Sequence, residues 1–236
     1  MRQTNSMRHK IIRKEEMRMS FVVAIDGPAG AGKGTITKMV GEKLGLVNID
    51  TGATFRCVAL NMIQEHIDIQ EEDKIEKMLS KINIEMHPDG KIFLNGKEVT
   101  HRIRENDVND LVSPVSVLPV VRNKLLEVQR KIAEGKNVIM EGRDIGTVVF
   151  PDADVKIYLD ATAEERARRR VLQNQEKGIE CSYEEVLAGI KDRDKRDSTR
   201  EIAPLKRAED AIYVDSTNLS VEQVVEKIIE IIRQKA

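Results

Sequence analysis

Strand-like runs recur along the chain at Phe21–Ile25, Leu46–Asp50, Asn137–Glu141, Lys156–Asp160 and Ala211–Asp215. The first is apolar throughout and rich in β-branched residues, the pattern of a strand covered on both faces. Helical periodicities lie between them: Ile36, Val40 and Leu44; Val58, Leu60 and Ile63; Leu118, Val121, Leu125, Val128 and Ile132; Val224, Ile228 and Ile231 or Ile232. In the Leu118–Ile132 stripe the steps alternate three and four, which packs one helix face on a core. Gly45, Gly135 and Gly178 read as helix stops. Thr162 to Glu165, Ser182 to Glu185 and Ser220 to Gln223 read as capping boxes. Strands alternating with helices predict an α/β fold, a three-layer αβα arrangement around a five-stranded parallel sheet.

Two stretches depart from that rhythm. Residues 68–105 hold the alternating run Ile82–Met86, the turn Pro88-Asp89-Gly90, and Ile92–Leu94 followed by Asn95-Gly96. Asn-Gly between strand-like runs signals a hairpin, so a small antiparallel sheet is inserted in the parallel domain. The chain returns to helix from Glu105, interrupted by Pro114 and Pro119. The second departure, about 162–182, is an arginine-bearing helix that turns back through Gln173–Ser182 as a helical hairpin, a candidate lid. The domain is expected to span 21–236. Residues 1–20 are polar and basic and read as a flexible leader; a nucleic-acid arm is the alternative, and no function is assigned to it.

The composition narrows the classes. At 236 residues the chain is long enough to bury on the order of 70% of its unfolded surface without staples. Lys and Arg number 39 against 40 Asp and Glu, a net charge of −1 that gives no general pull toward nucleic acid or membrane. Cys57 and Cys181 lack CxxC spacing and nearby histidines, and read as thiols of a reducing cytosol. No apolar run reaches membrane-spanning length. A cytoplasmic monomer is expected.

The chemistry concentrates behind the first strand. Gly27-Pro28-Ala29-Gly30-Ala31-Gly32-Lys33 fits the P-loop spacing G-x-x-x-x-G-K between a strand and a helix. Its glycines let consecutive N–H groups curl around a phosphate, and the following helix points its positive end at the same anion. Lys33 adds a point charge for the β- and γ-phosphates. The bland alternative, a glycine-rich joining turn, does not account for the lysine in that context. Gly34 stands where Ser or Thr commonly follows the lysine, so the candidate hydroxyl for a Mg²⁺-side contact is Thr35. A nucleoside triphosphate is the expected ligand.

Other charged candidates are open on the residues alone. Arg56 follows Asp50-Thr51-Gly52 at a strand end and is either solvated charge or an anion ligand at the carboxyl edge of the sheet. Ser113 and Arg122 are either helix-end residues or site residues. Arg143 and Asp144 follow the third strand directly, where buried charge is costly unless it faces a site. Arg166, Arg169 and Arg170 share a helix face. The run from Lys191 to Arg200, with Arg193, Asp197 and Arg200, is either a solvated face or a second cationic cluster. P-loop plus lid arginines is the kit for phosphoryl transfer, in which cations surround the moving phosphoryl group and a closing lid excludes water.

Four segments together resemble bacterial cytidylate kinase, a nucleoside monophosphate kinase among the P-loop NTPases: Gly27–Thr35, Asp50–Arg56, Gly142–Thr147 and Arg193–Asp197. The likeness runs from about Phe21 to the C-terminus. The Gly142-Arg143-Asp144-Ile145-Gly146-Thr147 run and the insertion set it apart from adenylate, guanylate and thymidylate kinases. The resemblance implies transfer of the ATP γ-phosphate to CMP or dCMP with Mg²⁺. It implies that Arg56, Arg143 and Arg200 hold the CMP phosphate, that Ser113, Arg122 and Asp144 read the cytosine edge, and that Arg193 and Asp197 contact the sugar. It also assigns Thr51 to the CMP side, along with the insertion 68–105, and Arg166, Arg169 and Arg170 to the lid. Thr51, Phe55 and Glu141 stand where the family often has Ser, Tyr and Asp. A P-loop kinase for UMP or a sugar-like alcohol is the nearest alternative activity. A nucleotide switch or nucleic-acid-binding protein is the alternative class, disfavoured by near-neutral charge, few aromatics and no guanine-recognition motif.

Overall fold

The computed structural model describes residues 21–87, 89–176 and 178–235; the basic leader, residues 1–20, lies outside the described residues. At the centre is β1 (Val22–Asp26), buried over its whole length. Around it run β2 (Val47–Asp50), β6 (Val138–Gly142), β7 (Val155–Asp160) and β8 (Ile212–Asp215), all parallel, in the order β2-β6-β1-β7-β8. Strand alternation sends Val23 and Ile25 to one face, where they meet Ile36 and Val40 of α1 (Lys33–Leu44) and Val225 and Ile228 of α8 (Val221–Lys235). Val22 and Ala24 face the other way, toward Ile49, Met140 and Ile132 of α5 (Pro119–Ala133). This is the five-stranded αβα sheet expected from the periodicities, with strand limits displaced by a residue or so.

Register brings the strand ends together. Asp26 lies beside Gly142 and Tyr158, Asp50 beside Glu141, and Asp160 beside Asp215. Carboxylates therefore line the carboxyl edge of the sheet, the edge at which open α/β sheets bind ligands.

The insertion has its own core. Strands β3 (Ile84–Met86), β4 (Ile92–Leu94) and β5 (Lys97–Glu98) pair antiparallel. Asn95 and Gly96 both take positive φ, 50° and 80°, as a two-residue hairpin turn requires. The structure adds a helix that the sequence reading did not anticipate, α3 (Glu72–Leu79). Only Ile75, Met78 and Leu79 carry its apolar face, too few for the period to stand out. They pack with Ile84, Ile92 and Leu94 against α2 (Thr51–Gln64) and α4 (Asn106–Val115).

The stretch expected as a lid, about 162–182, holds helix α6 (Ala163–Glu176) and the turn after it, and the helix it packs on, α7 (Tyr183–Thr199), runs beyond that limit. Together they bury only Arg166, Ala167 and Ile190, and Leu172 and Ile179 stay exposed. So little apolar burial marks a unit of low local stability. Ser182 forms the expected reciprocal box with Glu185, and Ser220 does so with Gln223. The box at Thr162 is only half made. The Glu165 N–H donates to Thr162 Oγ1, but the Glu165 carboxylate accepts from Arg169 and the Thr162 N–H donates to Thr217 Oγ1 instead. Cys57 is buried and Cys181 half-buried, both as free thiols, and burial pushes the Cys57 thiol up to about 12. Among the described residues no helix is long and apolar enough to cross a membrane.

Gly27, at the turn out of β1, has φ +154°, and a Cβ there would stand 1.9 Å from the Leu159 carbonyl oxygen. Backbone from β7 cannot rotate aside as a side chain would. Gly27→Ala is therefore expected to cost roughly 3 kcal/mol or more of unfolding free energy, measured by urea denaturation. A stability loss near zero would contradict this close approach of the two strands.

Candidate active site

The turn from β1 into α1 is open at its centre. Gly30 and Gly32 take positive φ, 81° and 86°, and Gly32 caps α1 with no side-chain acceptor over the first N–H groups. Those amides and the helix dipole form a ready anion cradle. Lys33, 6% exposed, folds back so that Nζ donates to the carbonyls of Gly27 and Pro28 at 2.8 Å each. Burial, reinforced by Arg143, lowers Lys33 to about 7. Glu141 at the end of β6 shows the reverse: burial, with Asp50 beside it, pushes its carboxyl up to about 7.

Gly34 now has a steric reason. A Cβ at that position would lie 2.9 Å from Glu141 Oε1. The carboxylate of Glu141 occupies the space over the first turn of α1 that a Ser or Thr side chain takes in the common motif. Thr35, next in the chain, is exposed.

Facing the loop across the sheet edge is a crowd of guanidinium groups, each tethered by an acid. Arg56 donates to Asp50 Oδ2 at 2.6 Å, and Arg104, from the short helical turn closing the insertion, reaches the same oxygen at 3.2 Å. Arg143 Nε donates to Asp197 Oδ2 at 2.9 Å, with Arg193 Nε 4.0 Å from that oxygen. Asp144 pairs with Arg122 on one side and stands 3.6 Å from Arg200 Nη2 on the other. Arg122 also lies over the Phe55 ring, 5.4 Å from its centroid, and donates to the Ser116 carbonyl. Burial lowers Arg200, with Arg122 next to it adding to the effect. Arg56 Nε and Arg200 Nη2 are buried without a hydrogen-bond partner. Unpartnered buried donors of this kind are costly, and they fit an arrangement that takes an anion.

The expected residues divide into three groups. Arg56, Arg122, Arg143, Asp144, Arg193, Asp197 and Arg200 share this one charged network. Ser113 is half-buried on α4, its carbonyl accepting from Ser116 Oγ. Thr51 is committed elsewhere, its hydroxyl donating to the Glu141 carbonyl at 2.6 Å.

The lid arginines do not act as one face. Arg166 is buried and fully engaged: Nη1 and Nη2 donate to Asp194 at 3.0 and 2.6 Å, Nη1 also to the Ala29 carbonyl, and Nε to the Ala161 carbonyl. It thereby ties both lid helices to the phosphate loop. Arg169 turns to β8, donating to the Ser216 carbonyl at 2.6 Å. Arg170 is exposed, with no ion pair among the described residues.

Sequence reasoning passed over Asp194, Arg104 and Asp26. Asp194 and Arg104 sit within charged runs whose partners are remote in sequence. Asp26 had a local signal, a carboxylate at the end of an otherwise apolar buried strand. It is 5% exposed, and burial pushes it up to about 6.

Residues 23–234 match the family model described as cytidylate kinase. A cytidylate kinase of Carboxydothermus hydrogenoformans is 50% identical over 216 residues, covering 90% of this chain and 97% of that one. One from Fusobacterium nucleatum subsp. nucleatum is 50% identical over 206 residues, covering 87% and 94%. Among solved structures, an uncharacterized protein from Eubacterium ventriosum superposes with a TM-score of 0.50 at 13% identity, covering 91% of this chain and 99% of that one, a likeness of fold alone.

A triphosphate entering the loop adds negative charge beside Lys33 and raises it back toward its ordinary range. Binding at pH 8 is then expected to take up a fraction of a proton, seen as buffer-dependent heats in titration calorimetry. Lys33→Arg, permanently charged, is expected to bind without that uptake. Equal buffer dependence in the two proteins would contradict the lowered lysine.

Proposed function

The chain belongs to the cytidylate kinase family, and on that premise we propose that it transfers the γ-phosphoryl group of ATP to CMP and dCMP, giving CDP and dCDP, by direct in-line displacement. The observation that carries this reading is the juxtaposition of two phosphate-compatible sites: an uncapped glycine loop with a buried lysine, and opposite it a guanidinium cluster with two unpartnered buried donors.

The roles follow from the chemistry. Main-chain N–H groups of the loop from Gly27 to Thr35, among them Ala29, Gly30, Ala31, Gly32 and Gly34, surround the β- and γ-phosphates, with Pro28, which has no N–H to give, stiffening the turn, and Lys33 leaves the loop carbonyls to meet them. Arg56, Arg143 and Arg200 hold the acceptor phosphate in line. One of its oxygens attacks the γ-phosphorus as the bond to the β-bridging oxygen breaks, so ADP leaves and no enzyme-bound phosphate forms. Asp144 accepts from the exocyclic amino group of cytosine while Arg122 and Ser113 donate to the acceptor atoms of the ring. Arg193 and Asp197 meet the sugar. Positioning and electrostatics supply the rate.

Mg²⁺ suits the donor set only as an ion carried with the triphosphate. Thr35 is exposed in the first turn of α1 and Glu141 stands over Gly34, while no cluster of three His, Cys, Asp or Glu able to hold a metal exists among the described residues. Thr35 and Glu141 would be the groups on the ion's side, Thr35 at most weakly and through water, and the ion would neutralise charge on the β- and γ-phosphates. In the lid, Arg170 carries no tether among the described residues and approaches as the helix moves; Arg169 must first release Ser216, and Arg166 must release Ala29. Action as a cytoplasmic monomer is part of this reading, and the near-neutral charge supports a small-molecule enzyme rather than a nucleic-acid binder.

Lys33→Ala is expected to lower kcat on the order of 10²-fold, as removal of one transition-state cation typically does. A coupled ADP-release assay with CMP, dCMP, UMP, AMP and shikimate as acceptors tests the substrate class, CMP and dCMP being the expected winners. Asp144→Ala is expected to narrow the preference for CMP over UMP; unchanged selectivity would remove Asp144 from base reading.

A further inference from the structure

The carboxylate of Asp26 belongs to neither phosphate site, yet it touches the elements that carry both. It closes β1 directly before Gly27, and it is buried. Its two oxygens are used on the far side of the sheet edge. Oδ1 accepts from the Ile145 N–H at 2.8 Å and Oδ2 from the Gly146 N–H at 2.8 Å.

Those two amides open the helical turn Ile145–Val149, whose preceding residue, Asp144, makes no side-chain cap for it. The first N–H groups of any helical turn lack partners within the turn. Here a carboxylate from another strand supplies both, through charge-assisted bonds stronger than neutral ones. The turn is short, and the residues just before it are Arg143 and Asp144. Their side chains reach Asp197, Arg122 and Arg200 across the cleft. A small rotation of the Ile145 and Gly146 amides therefore swings both site residues.

We propose that Asp26 is a positioning residue for the transfer reaction: from the end of the phosphate-loop strand it clamps the 142–146 turn and so sets where Arg143 and Asp144 meet the acceptor nucleotide. The proposal rests on the reading of those two residues as acceptor ligands. It also gives the loop and the acceptor side one shared origin, because Gly27 and the clamped turn are both referred to the same residue.

The variant to test is Asp26→Asn. The amide keeps the shape but has one acceptor oxygen, and its NH₂ group would face a main-chain N–H. A merely structural role would lower the melting temperature and leave the Michaelis constants alone. The clamp predicts a split: KM for CMP rises about tenfold, as expected for an ångström-scale misplacement, while KM for ATP moves by less than about twofold. Hydrogen exchange of the amides in 143–149, read by mass spectrometry without any nucleotide, is expected to quicken in Asp26→Asn. Gly146→Ala is the milder second variant, for use if Asp26→Asn does not fold. Its methyl would stand 3.4 Å from Asp26 Oδ2 and 3.2 Å from Lys156 Cδ, and it is expected to raise the same KM by roughly two- to threefold. An unchanged KM for CMP with unchanged exchange in 143–149 would overturn the proposal. A wild-type enzyme inactive toward CMP would strike the substrate reading alone, since the exchange measurement needs no acceptor.

Discussion

Charge held at the edge of an apolar sheet must be answered by charge, and that requirement shapes everything above the strands of this protein. Asp26, Asp50, Glu141, Asp160 and Asp215 all sit at strand ends. Burial pushes Asp26 and Glu141 upward, and the carboxylates nearby, Asp144 for the first and Asp50 for the second, add to it. The answering cations come from separate elements: Lys33 from α1, Arg56 from α2, Arg104 from the insertion, Arg143 from the 142–146 turn and Arg166 from the lid. Apart from the lid, whose two helices bury little that is apolar and meet through the Arg166–Asp194 pair, none of these elements is packed mainly by its charges. Apolar cores beneath the sheet and the insertion hold the scaffold, and the ion pairs choose the orientation of what projects from it.

That arrangement fixes the guanidinium groups in place. A free arginine on a surface has much rotamer entropy to lose when it binds. Here Asp50, Asp144, Asp194 and Asp197 hold the forks in advance, so part of the ordering is done before any anion arrives. A phosphate then exchanges with carboxylates instead of recruiting loose side chains. Exchange also keeps binding reversible, which matters to an enzyme that must release a charged product.

The sequence made the sheet legible because buried parallel strands and glycine-ended helices leave strong local marks. It also made the P-loop legible, since the glycine spacing and Lys33 are contiguous. Arg143, Asp144 and Asp197 were recognisable as members of motifs, and the structure gathers them with Arg56, Arg122, Arg193 and Arg200. What lay outside local reading was partnership at long range. Nothing near Arg166 announces Asp194, and nothing near Thr51 announces the Glu141 carbonyl that takes its hydroxyl. Helix α3 escaped for a different reason, having only three apolar residues to display a period. The Thr162 box failed because a remote partner, Thr217, took the Thr162 N–H and a neighbour one turn along the same helix, Arg169, took the Glu165 carboxylate.

The contact between position 34 and the Glu141 carboxylate has a consequence for how such a chain can change over generations. A side chain added at 34 makes the tip of the Glu141 side chain swing aside, and shortening the acid alone leaves a hole above the helix. The two positions are yoked, though a whole insertion lies between them along the chain. A change at either is felt at the other, so the glycine after the lysine is best regarded as half of a two-residue trait.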